Sequence, residues 1–387
     1  MKKIKTINNI SKIGTDILVE RGYEVSPDIE NPDAIIIRSQ NILDMVPNKE
    51  LLCIARAGAG FNNIPIETCT EHGVVVFISP GANAEAVKEM VMCELVMASR
   101  DVLGSIEWVK SIKDMGDDIP ALVEKGKKSF AGPELAGKTL GVIGLGATGA
   151  LVASMGVELG MTVYGYDPFL SVDAAWRLHR EIKHADSLNE LYPKCDYLSI
   201  NIPYTEDTKK MFNDEAFSKM KDGVRITNES RDEVVDDDAM IRAIDSGKVA
   251  KYVTDFPTAQ LIGHKNIICM PHLGACTPES EEKCASMAAE EVYDYLHNGN
   301  IRNSVNMPNA YLDRRGNCRL CIIHKNVPNM LTNFLKFIGV SNNNVEHMIN
   351  KSRGNIAYTI IDMSDKLDAD TIESINEIKD VLRVRVL

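Results

Sequence analysis

Cations are scarce in this chain. Its 387 residues carry 43 Lys and Arg against 55 Asp and Glu, a net charge of −12 at pH 7, the wrong sign for gripping a nucleic-acid phosphate backbone by counterion release. The deficit is uneven: residues 93–317 account for −10 of it, residues 1–92 for −3, and residues 318–387 sum to +1. A disulfide framework is missing too, because the nine cysteines are odd in number and scattered; no basic, apolar leader opens the sequence, so free thiols in a reducing cytoplasm are expected. The pair Cys318 and Cys321 has metal-like spacing but no second C-x-x-C, and on a strand its members would point to opposite faces, so no metal site is expected. Residues 139–157 form an uncharged stretch of membrane-spanning length, yet they contain five glycines and read as strand then helix, which excludes a span. Repeats and low-complexity tracts are absent as well.

What is present is a long series of short apolar runs separated by helical periods. The length alone allows two or three domains. Runs at 33–38, 52–56 and 74–78 read as buried parallel strands, and from Ala84 a helical period free of Gly and Pro runs on as a connector between domains. A second series of strands is expected at 139–143, 162–166, 197–201, 224–228, 252–255 and 267–270, alternating with helices as in a doubly wound sheet. A helix over 279–298 leads into IRNSVNMP, punctuated by Gly299, Asn303 and Pro308 and read as a hinge. Beyond Cys318 the order β-α-β-β-α-β is that of a ferredoxin-like unit.

Gly144-Leu-Gly146-Ala147-Thr148-Gly149 follows a strand and opens a helix, the context in which glycines let a pyrophosphate approach a helix N-terminus. Asp167 closes the next strand 18 residues beyond Gly149, where a carboxylate accepts the ribose hydroxyls and repels a 2′-phosphate; NAD is therefore expected rather than NADP. Arg231 and His272 both sit just past predicted strands, the edge of an open α/β sheet where ligands bind, and supply a carboxylate anchor and a proton acceptor.

With GLGATG, the N-x-S-R of 228–231 and the PHLG of 271–274 in this order, residues 1–310 resemble the D-isomer-specific 2-hydroxyacid dehydrogenases. The resemblance implies a doubly wound NAD-binding Rossmann domain over 93–289, a flavodoxin-like substrate domain built from 1–92 and 290–312, hydride transfer to NAD, Arg231 as the substrate-binding residue and His272 as acid/base. It extends the cofactor contacts to Pro203, Asp255 and Gly274. The segments IIIRSQ and ARAGAGFNNIP and the extra C-terminal module further imply 3-phospho-D-glycerate as substrate, with Arg38 and Ser39 at the phosphate end and Ala57 and Gly58 at the carboxylate. Lys2, Lys3 and Lys5 add positive charge nearby.

The module at 318–387 resembles an ACT domain, which implies an L-serine effector held by His324, Asn326 and Asn344, or else a role in assembly alone. A homodimer through the NAD domain, extended to a homotetramer through the ACT domain, completes the expectation; neither nucleic acid nor membrane is expected as partner. Two departures stand out: Asp232 replaces the glycine usual after the Arg, and Ala259 and Gln260 stand where the family carries the Glu that orients the His. Other readings stay open: reduction of glyoxylate, hydroxypyruvate or 2-oxoglutarate, or an NAD-sensing protein with a decayed site.

Overall fold

The unbroken apolar period after Asn83 folds as the helix Ala84–Ser99, and this helix opens the second of the two units into which the chain divides: Met1–Asn83 with Pro278–Leu387, and Ala84–Thr277. The structure is a computed structural model that describes residues 1–340 and 343–387.

The second unit is built on a seven-stranded parallel sheet, in the spatial order Ile267–Cys269, Val249–Thr254, Val224–Asn228, Tyr197–Ile200, Thr139–Ile143, Thr162–Tyr166 and Lys183–His184. Numbered from Thr139–Ile143, that is the 3-2-1-4-5-6 arrangement of a dinucleotide-binding sheet with one strand added at the edge. Helices cover both faces, which is why Tyr197–Ile200 is buried at every position. On one side Val87, Val91 and Leu95 meet Leu140 and Val152; on the other Phe217, Met240 and Ile244 meet Leu198 and Ile226. The strand order reverses between Thr139–Ile143 and Tyr197–Ile200, so the loops after these two strands diverge and open a crevice at the carboxyl edge.

The first unit contains a five-stranded parallel sheet ordered Glu24–Ser26, Lys3–Ile7, Ala34–Ile37, Cys53–Arg56, Val75–Ile78, the 2-1-3-4-5 order of flavodoxin-like folds. The helix Pro278–Asn298 packs on the helix Lys12–Glu20 so closely that a Cβ at Gly14 would lie 2.6 Å from the backbone of Ala285. The C-terminal module runs Cys318–Lys325, Met330–Val340, Val345–Arg353, Ile356–Met363, Ala369–Asn376, Val381–Val386, an antiparallel sheet with Cys318–Lys325 second from one edge. Its two faces feed different cores. Cys318, Leu320 and Ile322 pack under the module's own helices, whereas Cys321, Ile323, Tyr358 and Ile360 join Ala55, Phe77 and Tyr295 of the five-stranded domain. Cys318 and Cys321 thus face opposite ways, as a strand's two-residue period requires.

Three features differ from the sequence expectation. Boundaries at 92/93 and 289/290 would cut the helices Ala84–Ser99 and Pro278–Asn298, whose hydrogen-bond ladders hold each as one body; the units divide instead at the starts of these helices. The C-terminal module shares a core with the five-stranded sheet rather than standing apart. The expected hinge is strapped down: Ile301 pairs with Ala310, Ser304 bridges Phe77, and buried Asn306 accepts from the Val76 N–H at 2.9 Å and donates to the Val74 carbonyl at 2.8 Å. Glycine and proline punctuation there marks a packed irregular strand and not a flexible joint.

Candidate active site

The dinucleotide turn sits at the strand-order reversal. Gly144 is left-handed (φ 86°), and a Cβ there would lie 2.5 Å from the Asn201 carbonyl oxygen. A Cβ on Gly149 would fall 1.8 Å from the Gly144 carbonyl oxygen; no other residue fits. Gly146 caps the helix Ala147–Glu158 and has open space where a side chain would stand, so the first-turn N–H groups, including those of Ala147 and Thr148, are approachable by an anion. Asp167 braces the turn from the neighbouring strand, its Oδ2 accepting from Leu145 N–H and its Oδ1 from Phe169 N–H, both at 2.9 Å, with lone pairs left for ribose hydroxyls. Pro203 is exposed on the loop that follows Tyr197–Ile200, the same loop that crowds Gly144. These residues fit a dinucleotide.

Two strands along the same edge carry the other candidates. Arg231 follows Val224–Asn228 and His272 follows Ile267–Cys269. Phe256 lies between them: its ring centroid is 4.9 Å from that of His272 and 6.0 Å from the Arg231 guanidinium carbon. Fully buried Asn228 forms the Asx turn that sets Arg231, its Oδ1 accepting from Ser230 N–H at 3.0 Å and its Nδ2 donating to the Arg231 carbonyl at 2.9 Å. Asp255, also fully buried, sets the His272 turn. It accepts from the N–H groups of Leu273 at 2.8 Å and Gly274 at 2.6 Å. His272 itself is left-handed (φ 58°), a backbone conformation that costs a non-glycine residue roughly 1–3 kcal/mol and recurs at functional sites.

The two departures resolve differently. Asp232 pairs with the Glu233 carboxyl and pushes it upward in pKa, while Arg231 acts on the same carboxyl in the opposite direction. Ala259 and Gln260 are both exposed, and the ring contact recorded for His272 is Phe256.

Carboxyls that sequence reading passed over lie underneath. Glu94 on Ala84–Ser99 is fully buried, and burial, then the neighbouring Glu229, hold its carboxyl well above the usual carboxylate range. Burial likewise raises Glu229. A Cβ on Gly274 would meet Glu229 Oε2 at 2.2 Å and Asp255 Oδ2 at 3.3 Å, so a side chain at 274 would have to displace the Glu229 carboxyl. Only the position of Glu229, two residues before Arg231, was a signal in the sequence.

The expected substrate contacts belong to the first unit. Arg38 pairs with Glu281 at 2.7 Å, and both side chains are partly exposed. Ser39 N–H donates to Asn8 Oδ1 at 3.2 Å. Ala57 is buried with its N–H on the Ile37 carbonyl, and Gly58 is flanked by Arg56, whose Nη1 would touch a Cβ at 2.6 Å. Arg56, at the end of Cys53–Arg56, adds a cation that the sequence reading left out. Among the early lysines, Lys2 approaches Asp33 at 3.9 Å.

The effector candidates are not brought together. His324 is 2% exposed with Nδ1 on the Lys325 carbonyl (2.8 Å) and Nε2 on Thr359 Oγ1 (2.9 Å). Asn326 lies beside it and donates to the Gly354 carbonyl. Asn344 precedes Val345, which pairs with Met363, itself the partner of Cys318; it therefore stands at the opposite end of the sheet, where it donates to Glu346 at 3.1 Å.

Comparison with known proteins fits this architecture. Residues 97–274 match the model of the D-isomer specific 2-hydroxyacid dehydrogenase, NAD binding domain. The chain is 34% identical to D-3-phosphoglycerate dehydrogenase 2, chloroplastic, of Arabidopsis thaliana, over 79% of this chain and 50% of that protein. It is 29% identical to D-3-phosphoglycerate dehydrogenase 1 of Saccharomyces cerevisiae, over 100% of this chain and 87% of that one. Apart from the yeast protein, it spans about half the length of the curated relatives it matches. Among solved structures, the NAD+-bound 3-phosphoglycerate dehydrogenase of Entamoeba histolytica superposes with a TM-score of 0.61 at 26% identity, over 80% of this chain and 99% of that one. The match of residues 97–274, with the glycine turn and Asp167 on the same sheet edge, gives this chain the NAD-binding domain of the D-isomer-specific 2-hydroxyacid dehydrogenases.

Proposed function

We propose that the protein oxidises a D-2-hydroxy acid to the 2-oxo acid with NAD, and that the acid is 3-phospho-D-glycerate, giving 3-phosphooxypyruvate, the first step of L-serine biosynthesis. The observation that carries the reading is the placement of Arg231 and His272 on either side of Phe256 at the carboxyl edge of the dinucleotide sheet. When bound, NAD supplies the acceptor for the hydride from C2. His272 takes the hydroxyl proton, and the Arg231 guanidinium holds the carboxylate and the developing carbonyl oxygen, each interaction strengthening as charge builds. Arg38 and Arg56 supply cations at strand ends of the substrate domain, and the D-3-phosphoglycerate dehydrogenase relatives point to a phosphorylated acid. One observation favours the second reading, an unphosphorylated 2-oxo acid: Arg38 is already engaged by Glu281, which a phosphate must displace.

The test is NADH formation from 3-phospho-D-glycerate, D-glycerate and D-2-hydroxyglutarate, each with and without L-serine. Turnover of the phosphorylated acid, falling about 10²–10⁴-fold in His272→Asn as loss of a general base predicts, supports the reading. Turnover confined to an unphosphorylated acid overturns the substrate.

A further inference from the structure

The carboxyls of Glu94, Glu229 and Asp255 come from three different elements: the helix Ala84–Ser99, the end of the strand Val224–Asn228 and the end of Val249–Thr254. They converge under the turn that presents His272. Both oxygens of Asp255 accept backbone N–H groups of that turn, from Leu273 and Gly274. Glu229 packs against the α-carbon of Gly274. Neither oxygen of Glu94 nor Oε1 of Glu229 has a partner that satisfies it as an acceptor, as expected of carboxyls held against one another in a dry site. The other titratable groups acting on the cluster are acidic too, Asp255 on both glutamates and the Cys93 thiol on Glu94. Three carboxylates so placed cannot all ionise, because each further charge is buried beside the last.

We propose that Glu229, backed by Glu94, is a positioning residue for His272: in its protonated form it donates to Asp255 and holds the His272–Gly274 turn, and on losing that proton it repels Asp255 and loosens the turn. The proton count is simple. One negative charge, on Asp255, serves the turn, and a second, on Glu229, has only Asp255 and Glu94 beside it. The arrangement supplies by another route what Ala259 and Gln260 omit, a carboxyl system behind the imidazole, and it acts through backbone N–H groups rather than on the ring.

The inference rests on His272 being the proton acceptor proposed above, and its test separates the two. With the D-2-hydroxy acid and NAD, the direction in which His272 acts as base, kcat of the wild type rises with pH and then falls on the alkaline side; in Glu229→Gln, which keeps the shape and the donor but cannot ionise, that fall is lost while the rise set by His272 remains. In Glu94→Leu, which removes the neighbour that favours the Glu229 anion, the fall moves to higher pH. Independently of turnover, the His272 ring resonance, assigned by its disappearance in His272→Asn, shows in the wild type a second step over the same pH range, absent in Glu229→Gln. If no substrate turns over, the resonance still decides the matter. Superimposable pH profiles, or a His272 titration with the same two steps in wild type and Glu229→Gln, overturn the proposal.

Discussion

Two clusters of buried ionisable groups in this protein balance their charge in opposite ways. In the C-terminal sheet Arg319 and Asp362, both at zero exposure, form a bidentate pair with Nε to Oδ1 at 2.6 Å and Nη2 to Oδ2 at 2.7 Å. The third guanidinium nitrogen donates to the Asn298 carbonyl at 2.7 Å. Every guanidinium nitrogen and both carboxylate oxygens there have a partner. Under the His272 turn Glu94 and Glu229 bury like groups, and the balance is restored by protons instead of a counter-ion. One cluster is balanced by an opposite charge; the other brings like groups together. The first lies where the module is fused to the substrate domain, beside Arg383 on the carbonyls of Leu51 and His72 and Arg385 on that of Tyr295. The second lies where chemistry is proposed.

The contrast can be broken most sharply at Asp362. Asp362→Ala strands a buried guanidinium and is expected to cost about 3–5 kcal/mol in denaturant unfolding, whereas replacing Arg319 and Asp362 together with Met and Leu comes out near neutral. If the single and double variants are equally unstable, charge is not what the pair resolves. Next in size is Gly274→Ala. Its methyl collides with Glu229 Oε2, an overpacking loss of about 1–3 kcal/mol that Glu229→Ala in the same chain should relieve; no relief would separate the two residues.

Stability against pH is the third measure. Burial raises the carboxyl of Glu291, an isolated buried acid, to about 8, although Asn303 donates to it. A carboxyl whose folded pKa lies above its unfolded value, about 4.3, holds its proton more tightly when folded. Stability is therefore greatest below the unfolded pKa and declines as pH rises toward 8, by at most about 1.4 kcal/mol per pH unit for each such group. Glu291→Gln should flatten the decline by one group's share, measured as Tm across that window. The smallest effect is expected where a pair is half in water: Glu281→Gln releases Arg38 at less than about 1 kcal/mol in stability and lowers KM for a phosphorylated acid while leaving that for D-glycerate unchanged.

Legibility in the sequence followed the range of the interaction. The strands Thr139–Ile143, Thr162–Tyr166 and Val224–Asn228 were readable because buried parallel strands are short apolar runs. Lys3–Ile7 was not, because lysines alternate through it and only Ile4 is fully buried. The strand Glu24–Ser26 is three residues at a sheet edge, with no buried position.

Sequence alone determined the parts whose physics is local: the glycine turn, Asp167 one strand later, and Arg231 and His272 at strand ends, each marked by residue type and spacing. The tertiary structure decided everything that depends on which distant groups meet in a dry interior. It placed Arg319 on Asp362, Glu94 against Glu229 and the C-terminal sheet on the substrate domain's core, and it separated Asn344 from His324. The reason is dielectric as much as geometric. A carboxyl's charge, and with it the setting of the turn it supports, follows from the neighbours that replace water around it, and those neighbours are set by the fold.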